Sequence, residues 1–390
     1  MTHSPHAHAP DLPLGIGVIG AGFGRKIHIP GLQAYPGTRV LGIYHPDAAK
    51  AAGVAAEFDL PCAWHQLESM LADPAVDGIT VATPPHVHFE VTRQALLAGK
   101  HVLLEKPLTL NVQQACHLYQ LAQANKRVVV PDFEFRCVPE WLHLKALLDQ
   151  GWAGSLRSVH LTWQVQSRAN PDRPWNWYAQ RALAGGALGA IGSHAFDMVA
   201  WLLGPVRRML AHLTTRIPRL RDPATGELRP VTSDDTCCLI LELETGTPVQ
   251  ISLSTVTYAG RGHWLEIYGD EGTLILGNAN LKDYIHGFTL QAARPSQPLQ
   301  ILPTPSEWQF ERTYPDGRQA PFMGIVDRWV RSICQGGVPQ PSLLEGVYSQ
   351  LLSDLAWQSH ERGCWMEVPS VQTVIEQGGN PRTRDGGDLS

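Results

Sequence analysis

Apolar positions in the first third of the chain fall in short runs separated by mixed stretches of helical spacing. Gly15–Ile19, Val40–Tyr44, Gly78–Ala82, His101–Leu104 and Arg127–Val130 read as strands. Ala48–Glu57, Val87–Ala98 and Asn111–Asn125 read as helices, the second stopped by Gly99. Strand and helix in alternation predict a parallel sheet with helices on both faces. The pattern then changes. Trp141–Asp149 and Ser193–Leu203 read as helices, and Leu156–Gln166 as a strand. Arg208–Ile217, Thr236–Glu244, Thr247–Tyr258, His263–Tyr268 and Thr273–Leu276 continue as strands, with Thr245-Gly246 and Asp270-Glu271-Gly272 as turns. This predicts an open, largely antiparallel sheet of about six strands. Helices return at Phe322–Cys334 and Ser342–Glu361. The expected organisation is α/β: a lead over 1–14, one domain over 15–135, a second over 136–378, and a tail over 379–390, both ends disordered.

Composition narrows the partners. A length of 390 residues suits two cores, and 44% apolar residues can fill them. A net charge of −5 without a basic stripe argues against nucleic acid or an anionic membrane surface. No uninterrupted apolar run suggests a bilayer span. The lead is rich in His and Pro and lacks the apolar stretch of a signal peptide; His3, His6 and His8 read as a solvated tail rather than a metal site. Seven scattered cysteines without CxxC spacing point to free thiols and a cytoplasmic location. The run Cys237-Cys238-Leu239-Ile240-Leu241 is apolar on both alternations, so the second sheet is expected to self-associate into a homo-oligomer, dimer or tetramer.

Two motifs carry chemistry. Gly17-Val18-Ile19-Gly20-Ala21-Gly22-Phe23-Gly24 is a strand running into a glycine-rich turn and then a helix. Gly20 permits a backbone closed to other residues, and Gly22 admits a pyrophosphate. The third glycine of this fingerprint belongs at position 25, which is Arg25, with Gly24 one place early. Either helix packing differs there, or Arg25 reaches the phosphates. The second motif, Glu105-Lys106-Pro107, ends another apolar strand and sets a lysine at the mouth of the sheet. His86-Val87-His88 has no completing ligand and is not read as a metal site; no metal is expected.

These stretches, with Ala82-Thr83-Pro84-Pro85 followed by His88, and Gly185-Gly186-Ala187-Leu188-Gly189-Ala190-Ile191-Gly192-Ser193-His194, resemble the glucose–fructose oxidoreductase / inositol dehydrogenase / MocA (Gfo/Idh/MocA) family. The resemblance implies an N-terminal Rossmann domain, a C-terminal α/β domain, an NAD or NADP cofactor, and hydride transfer at a hydroxyl or carbonyl carbon of a sugar, polyol or similar small molecule. It implies that Lys106 stabilises the substrate oxygen and that His194 exchanges the proton. Gly20, Gly22, Phe23, Gly24, Arg25, His45, Thr83, Pro84, His88, Glu105 and Lys106 are the expected cofactor contacts. Lys106, His194, Trp175 and Trp177 are the expected substrate contacts, aromatic packing between domains being the alternative for the tryptophans; Trp163, Gln164 and Arg168 could also face the cleft. Lys106-Pro107 is a candidate cis peptide.

Two departures stand out. Where the family pattern commonly has Asp, one helical turn before the His, this chain has Ala190; Asp172 and Asp197 are candidate replacements. Where an acid commonly ends the second strand, this chain has His45, which makes NADP plausible, with Asp47 as the alternative group to reach the ribose. The missing carboxylate favours a rival reading, a non-enzymatic dinucleotide or sugar sensor; a third reading keeps the cofactor for transient oxidation during glycoside cleavage.

Overall fold

A computed structural model describes residues 13–280 and 285–379. Residues 1–12 of the expected lead, with His3, His6 and His8, and the tail from 380 onward lie outside the described residues. Leu14 already opens the first strand.

The first sheet holds β1 (Leu14–Ile19), β2 (Thr38–Tyr44), β3 (Cys62–Trp64), β4 (Gly78–Val81), β5 (His101–Leu104) and β6 (Val129–Pro131). All pairings are parallel, in the order β3-β2-β1-β4-β5-β6. Helices α1 (Ile29–Ala34), α2 (Ala48–Glu57), α3 (Leu67–Ala72), α4 (Pro85–Leu97) and α5 (Val112–Ala124) lie in the crossovers. Strand order reverses between β1 and β4, and such a switch point leaves a crevice beyond the carboxyl ends of the strands.

After α6 (Pro139–Asp149) the chain builds a nine-stranded sheet. Its strands are β7 (Leu156–Gln164), β8 (Val206–Thr214), β11 (Thr236–Leu243), β12 (Pro248–Ser254), β13 (Gly262–Gly269), β14 (Thr273–Asn278), β15 (Thr289–Ala293), β16 (Gln300–Leu302) and β17 (Met366–Glu367). A separate ribbon pairs β9 (Arg219–Arg221) with β10 (Leu228–Pro230). The order is β16-β15-β14-β13-β7-β12-β11-β8-β17, antiparallel except for β7 beside β12. Of the three strands beyond the expected six, β16 and β17 are edge strands of three and two residues, too short to show a period, and β15 is a five-residue strand between β14 and β16.

One face of this sheet is buried through Val159, Leu161, Trp163, Leu239 and Leu241. On the other face Cys238 and Ile240 are exposed, so β11 alternates instead of being covered on both sides. Helices α7 (Ser193–Leu203) and α9 (Leu343–Arg362) pack against each other, and α10 (Val371–Glu376) follows. Residues 181–203 are long and apolar enough to cross a membrane, but 67% of the apolar window is buried inside the fold and only its end is α7.

Helix α8 (Gln319–Gln335) returns to the first sheet. Phe322, Ile325, Val326 and Trp329 share a core with Ile16, Ile43 and Val130. Gly78 makes room for the Trp329 indole, which a Cβ would approach to 2.9 Å. A second tie is ionic: Arg136 donates to both oxygens of Asp197 on α7, with Nη2 to Oδ1 at 2.6 Å and Nε to Oδ2 at 2.9 Å. Both side chains are 3% exposed.

Without Asp197 the buried Arg136 keeps the longer contact of Nη1 with Glu345 at 3.7 Å, and loss of one partner of a buried pair costs about 3–5 kcal/mol. Asp197→Ala is therefore expected to lower the urea midpoint of unfolding by a corresponding amount. An unchanged midpoint would show that the pair adds nothing to the packing around it.

Candidate active site

The glycine turn is shaped by what surrounds each glycine. Gly20 has φ +116°, and a Cβ there would lie 2.3 Å from the Ala82 carbonyl oxygen. A Cβ on Gly22 would meet nothing within 4 Å, which leaves the open approach a pyrophosphate needs. Gly24 packs on β1, where a Cβ would come 3.1 Å from Val18. The early glycine is accommodated by a π-helical turn over Gly24–His28, closed by the Ile29 N–H on the Gly24 carbonyl. The wider turn puts Gly24 against the strand and turns Arg25 outward, where Nε and Nη2 meet Glu57 of α2 at 2.7 and 2.9 Å. Gly24 takes the packing position against β1, and Arg25 pairs with Glu57 on an exposed surface.

The same turn buries His28. Its ring stacks on Phe322 of α8 at 4.4 Å, and its Nε2 lies 3.1 Å from Glu105 Oε1. The other Glu105 oxygen accepts the Lys106 N–H at 3.2 Å. The Lys106-Pro107 bond is cis. Lys106 Nζ donates to the Ala190 carbonyl at 3.1 Å, and Ala190 lies one turn before His194 at the start of α7. The two motifs that were far apart in sequence are thus brought into one place.

Two more acids are buried here, Asp132 and Glu134, just past β6. Burial, then the charges of Glu105 and Glu134, push Asp132 well above the usual carboxyl range. Burial and Glu105 push Glu134 up to about 7, with Lys106 and Arg318 opposing. Burial acts to raise Glu105 too, but the His28 hydrogen bond and charge and the Lys106 ammonium hold it low. No donor faces either Asp132 oxygen, and the residue is 1% exposed. A protonated Asp132 satisfies this environment by donating to Glu105, whereas an ionised one would be stranded. His28, Glu105 and Asp132 do offer ligand atoms within 4.8 Å of one another, but the His28–Glu105 hydrogen bond already uses two of them.

His194 is 3% exposed and bordered by Phe135, Phe133 and Trp163, with ring centroids at 5.0, 6.1 and 6.1 Å. Burial first, then the charges of Lys106 and His263, push its pKa well below 6.5, so the ring is neutral near pH 7. His263 forms the layer behind, stacked on Trp163 at 4.0 Å and brought to about 3 by burial. Gly185 and Gly186 are needed because the loop before α7 folds tightly: a Cβ on Gly185 would be 2.3 Å from the Tyr178 carbonyl, and one on Gly186 2.4 Å from Asp234 Oδ1. Asp234 Oδ2 accepts the Leu188 N–H at 2.8 Å, which fixes the run leading to His194.

Other expected residues are placed differently. His88 is fully buried between two loops of the site, with Nδ1 3.0 Å from the Pro107 carbonyl and Nε2 2.8 Å from the Thr83 carbonyl. Thr83 and Pro84 do border the crevice at the end of β4, where the Thr83 hydroxyl is buried without a partner. Phe23 lies between the edge of His28 and the Arg318 guanidinium. His45 follows β2 and accepts the Asp47 N–H at 3.0 Å, while the Asp47 carboxylate caps α2 by accepting from Ala49 and Lys50.

Trp175 belongs to the β9–β10 ribbon, packing with Ala179, Leu220 and Val231 and donating to the Pro230 carbonyl at 3.1 Å. This packing lies within the second domain and not between the two domains. Trp177 sets its ring edge against Tyr178 at 5.7 Å, in a turn capped by Asn176. Arg168 covers Tyr178, and Gln164 donates to Ser252. Neither candidate replacement for the missing acid meets His194: Asp197 is held by Arg136, and Asp172 lies in an exposed turn formed by Asn170.

The glycine cradle, the open space at Gly22 and the unpaired Thr83 hydroxyl fit a dinucleotide laid across the strand ends, with Lys106 and His194 at its far end. Comparison with known proteins agrees. Residues 14–133 match the oxidoreductase family with an NAD-binding Rossmann fold, and residues 145–368 match the C-terminal alpha/beta domain of the same family. The chain is 48% identical over 378 residues to the uncharacterized oxidoreductase sll0816 of Synechocystis, covering 97% of this chain and 100% of that one. It is 26% identical to levoglucosan dehydrogenase of Pseudarthrobacter phenanthrenivorans, over 92% of this chain and 99% of the relative. The solved structure of a levoglucosan dehydrogenase in complex with NADH and L-sorbose is similar at a TM-score of 0.84 and 25% identity, covering 92% and 100% of the two chains. The chain belongs to the Gfo/Idh/MocA oxidoreductase family, and its first sheet is that family's NAD-binding Rossmann domain.

Proposed function

We propose that this oxidoreductase is a dehydrogenase or reductase of sugar or polyol substrates, with Lys106 and His194 as its catalytic residues. The observation that carries this reading is the convergence of Lys106 Nζ on the Ala190 carbonyl, one turn before His194. The named activity of the levoglucosan dehydrogenase relative supports the substrate class. When bound, the nicotinamide supplies the hydride acceptor or donor. Lys106 hydrogen-bonds the substrate oxygen and stabilises the negative charge that grows there. His194, neutral in its apolar surroundings, accepts the hydroxyl proton in oxidation and returns it in reduction. Phe133, Phe135 and Trp163 keep water from this side of the ring.

The cofactor choice follows from β2. Asp47, just past its end, caps α2 through Oδ1 and keeps a half-exposed carboxylate there. His45 stands where an acid commonly holds the ribose hydroxyls, which supports NADP being accepted alongside NAD. The open face of the second sheet, with Ile240 42% exposed beside Cys238, supports assembly of two or four copies through that face. All seven thiols are free, which supports a reducing compartment such as the cytoplasm.

The test of the reading is oxidation of a panel of polyols and sugars with NAD⁺ and NADP⁺. Lys106→Met is expected to lower kcat about 10²–10³-fold with little change in cofactor affinity. Near-normal turnover in that variant would remove Lys106 from the mechanism. Tight cofactor binding without turnover on any substrate would favour the sensor reading that Ala190 raises.

For His194 the sign is fixed by its lowered pKa. The base form persists below pH 6.5, so the acid limb of the oxidation rate is expected below that value. Ala190→Asp places an anion near the ring and is expected to move the limb upward. A limb that stays put in this variant would show that His194 is not the titrating base.

Assembly is checked by sedimentation velocity at micromolar concentration. The unaltered chain is expected to sediment as a dimer or tetramer and Ile240→Asp as a smaller species. A monomeric unaltered chain would end the proposal.

A further inference from the structure

A π-helical turn over Leu188–Gly192 runs directly into α7. The first N–H groups of a helical run have no partner within it. Here they belong to Ala187 and Leu188, and one residue takes both. The Ala187 N–H donates to the Asp234 main-chain carbonyl at 3.1 Å, and the Leu188 N–H donates to Asp234 Oδ2 at 2.8 Å. The Cys237 thiol on β11 donates to the same Oδ2 at 2.9 Å and holds the carboxylate from behind. Asp234 is 1% exposed and Cys237 fully buried, so water does not compete for these bonds. Burial pushes the Asp234 carboxyl up to about 6, and the bonds from Cys237 and Leu188 oppose this, which leaves an ionised acceptor near pH 7.

The turn that Asp234 caps is the one that meets Lys106. Its third residue, Ala190, offers the carbonyl that accepts Lys106 Nζ at 3.1 Å. Its second residue packs on the same stretch: a Cβ on Gly189 would lie 2.4 Å from the Ala184 carbonyl oxygen and 3.7 Å from Pro107 Cγ. The two ends of the turn are tied to different parts of the fold. At the far end, Ser349 of α9 donates its hydroxyl to the Ser193 carbonyl at 2.9 Å, beside His194. At the near end Asp234 caps Ala187 and Leu188. Losing that cap frees the segment carrying the Ala190 carbonyl while α7 stays anchored on α9.

We propose that Asp234 is a positioning residue for Lys106: by capping this turn it holds the Ala190 carbonyl where that oxygen aims the ammonium, a role that serves catalysis on the reading of Lys106 given above. What Asp234 supplies is an acceptor oxygen of fixed position, and its charge is not the feature used. An acid thus serves the lysine from one step behind position 190, through the main chain instead of by direct contact.

Acylation of Lys106 by a small amine-reactive ester, followed in the full chain by mass spectrometry, reads the ammonium without turnover. Asp234→Ala removes the acceptor, and Asp234→Ser leaves a hydroxyl too short to reach Leu188 and serves where the alanine variant does not fold. Both are expected to raise the Lys106 acylation rate about 3–10-fold, the loss of one net hydrogen bond. Asp234→Asn keeps an acceptor oxygen for Leu188 and is expected to stay within about twofold of the unaltered chain. With a substrate in hand, kcat of the alanine and serine variants is expected to fall about 10–100-fold, with NADH affinity unchanged and the asparagine variant restored. A purely structural anchor would lower the melting temperature and leave acylation of the folded protein unchanged. Acylation within about twofold of the unaltered chain in both the alanine and serine variants overturns the proposal. Acylation raised equally in Asp234→Asn also overturns it, because charge and not the acceptor would then be at work. The expected acylation pattern in a chain that turns over no sugar or polyol upholds the positioning and overturns the dehydrogenase reading.

Discussion

The site depends on burying an ionised carboxyl, Glu105, directly beside Lys106 at the mouth of a parallel sheet. A charge in that position is tolerated only when partners replace water. His28 and the Lys106 main chain are those partners, one on each oxygen. The requirement propagates outward. His28 must be presented from the π turn that also forms the phosphate cradle, and it is held flat by Phe322 of α8. The turn, the strand end carrying Lys106 and a helix from the far end of the chain are therefore one packed unit. Perturbing any of them moves the ammonium.

Much of this was legible as local pattern. The parallel sheet, the glycine turn, Glu105-Lys106-Pro107 and the run ending at His194 are contiguous stretches whose residue types answer to nearby backbone demands. What the sequence left unread depends on partners distant in sequence. Arg25 looked available for phosphate because its competitor, Glu57, lies 32 residues away on another helix. Trp175 looked like a sugar platform because the ribbon that receives it consists of two three-residue strands with no usable period. His88 looked exposed to the cofactor because the carbonyl of Pro107 reaches it only after β5 is paired with β4.

Other residues were missed although a signal existed. In Pro131-Asp132-Phe133-Glu134-Phe135, acids alternate with apolar residues immediately after a buried strand. Acids in such a stretch must either face solvent or form a buried cluster, and an acid at one of these sites is rarely buried without a partner. Arg136, next in line, carried the same information: a fully buried guanidinium demands an anion, which is Asp197. Reading polar residues inside apolar runs as questions about partners would have assigned Asp197 to Arg136 and removed it from consideration beside His194.

The alanine at 190 has an electrostatic consequence that extends beyond a lost hydrogen bond. At about 4 Å and an effective dielectric near 20, an ion pair is worth about 4 kcal/mol. A carboxylate at 190 would spend that attraction on the resting ammonium and would also favour a protonated His194. A carbonyl oxygen orients Lys106 with a dipole and leaves its net charge in place. The nearby acids do not restore the balance fully. Asp132 is pushed far toward its neutral form and Glu134 up to about 7, so Glu105 is the acid that remains firmly ionised near neutral pH. The arrangement keeps one ammonium facing a growing alkoxide and one imidazole without its proton, which are the two protonation states that removing a hydroxyl proton requires.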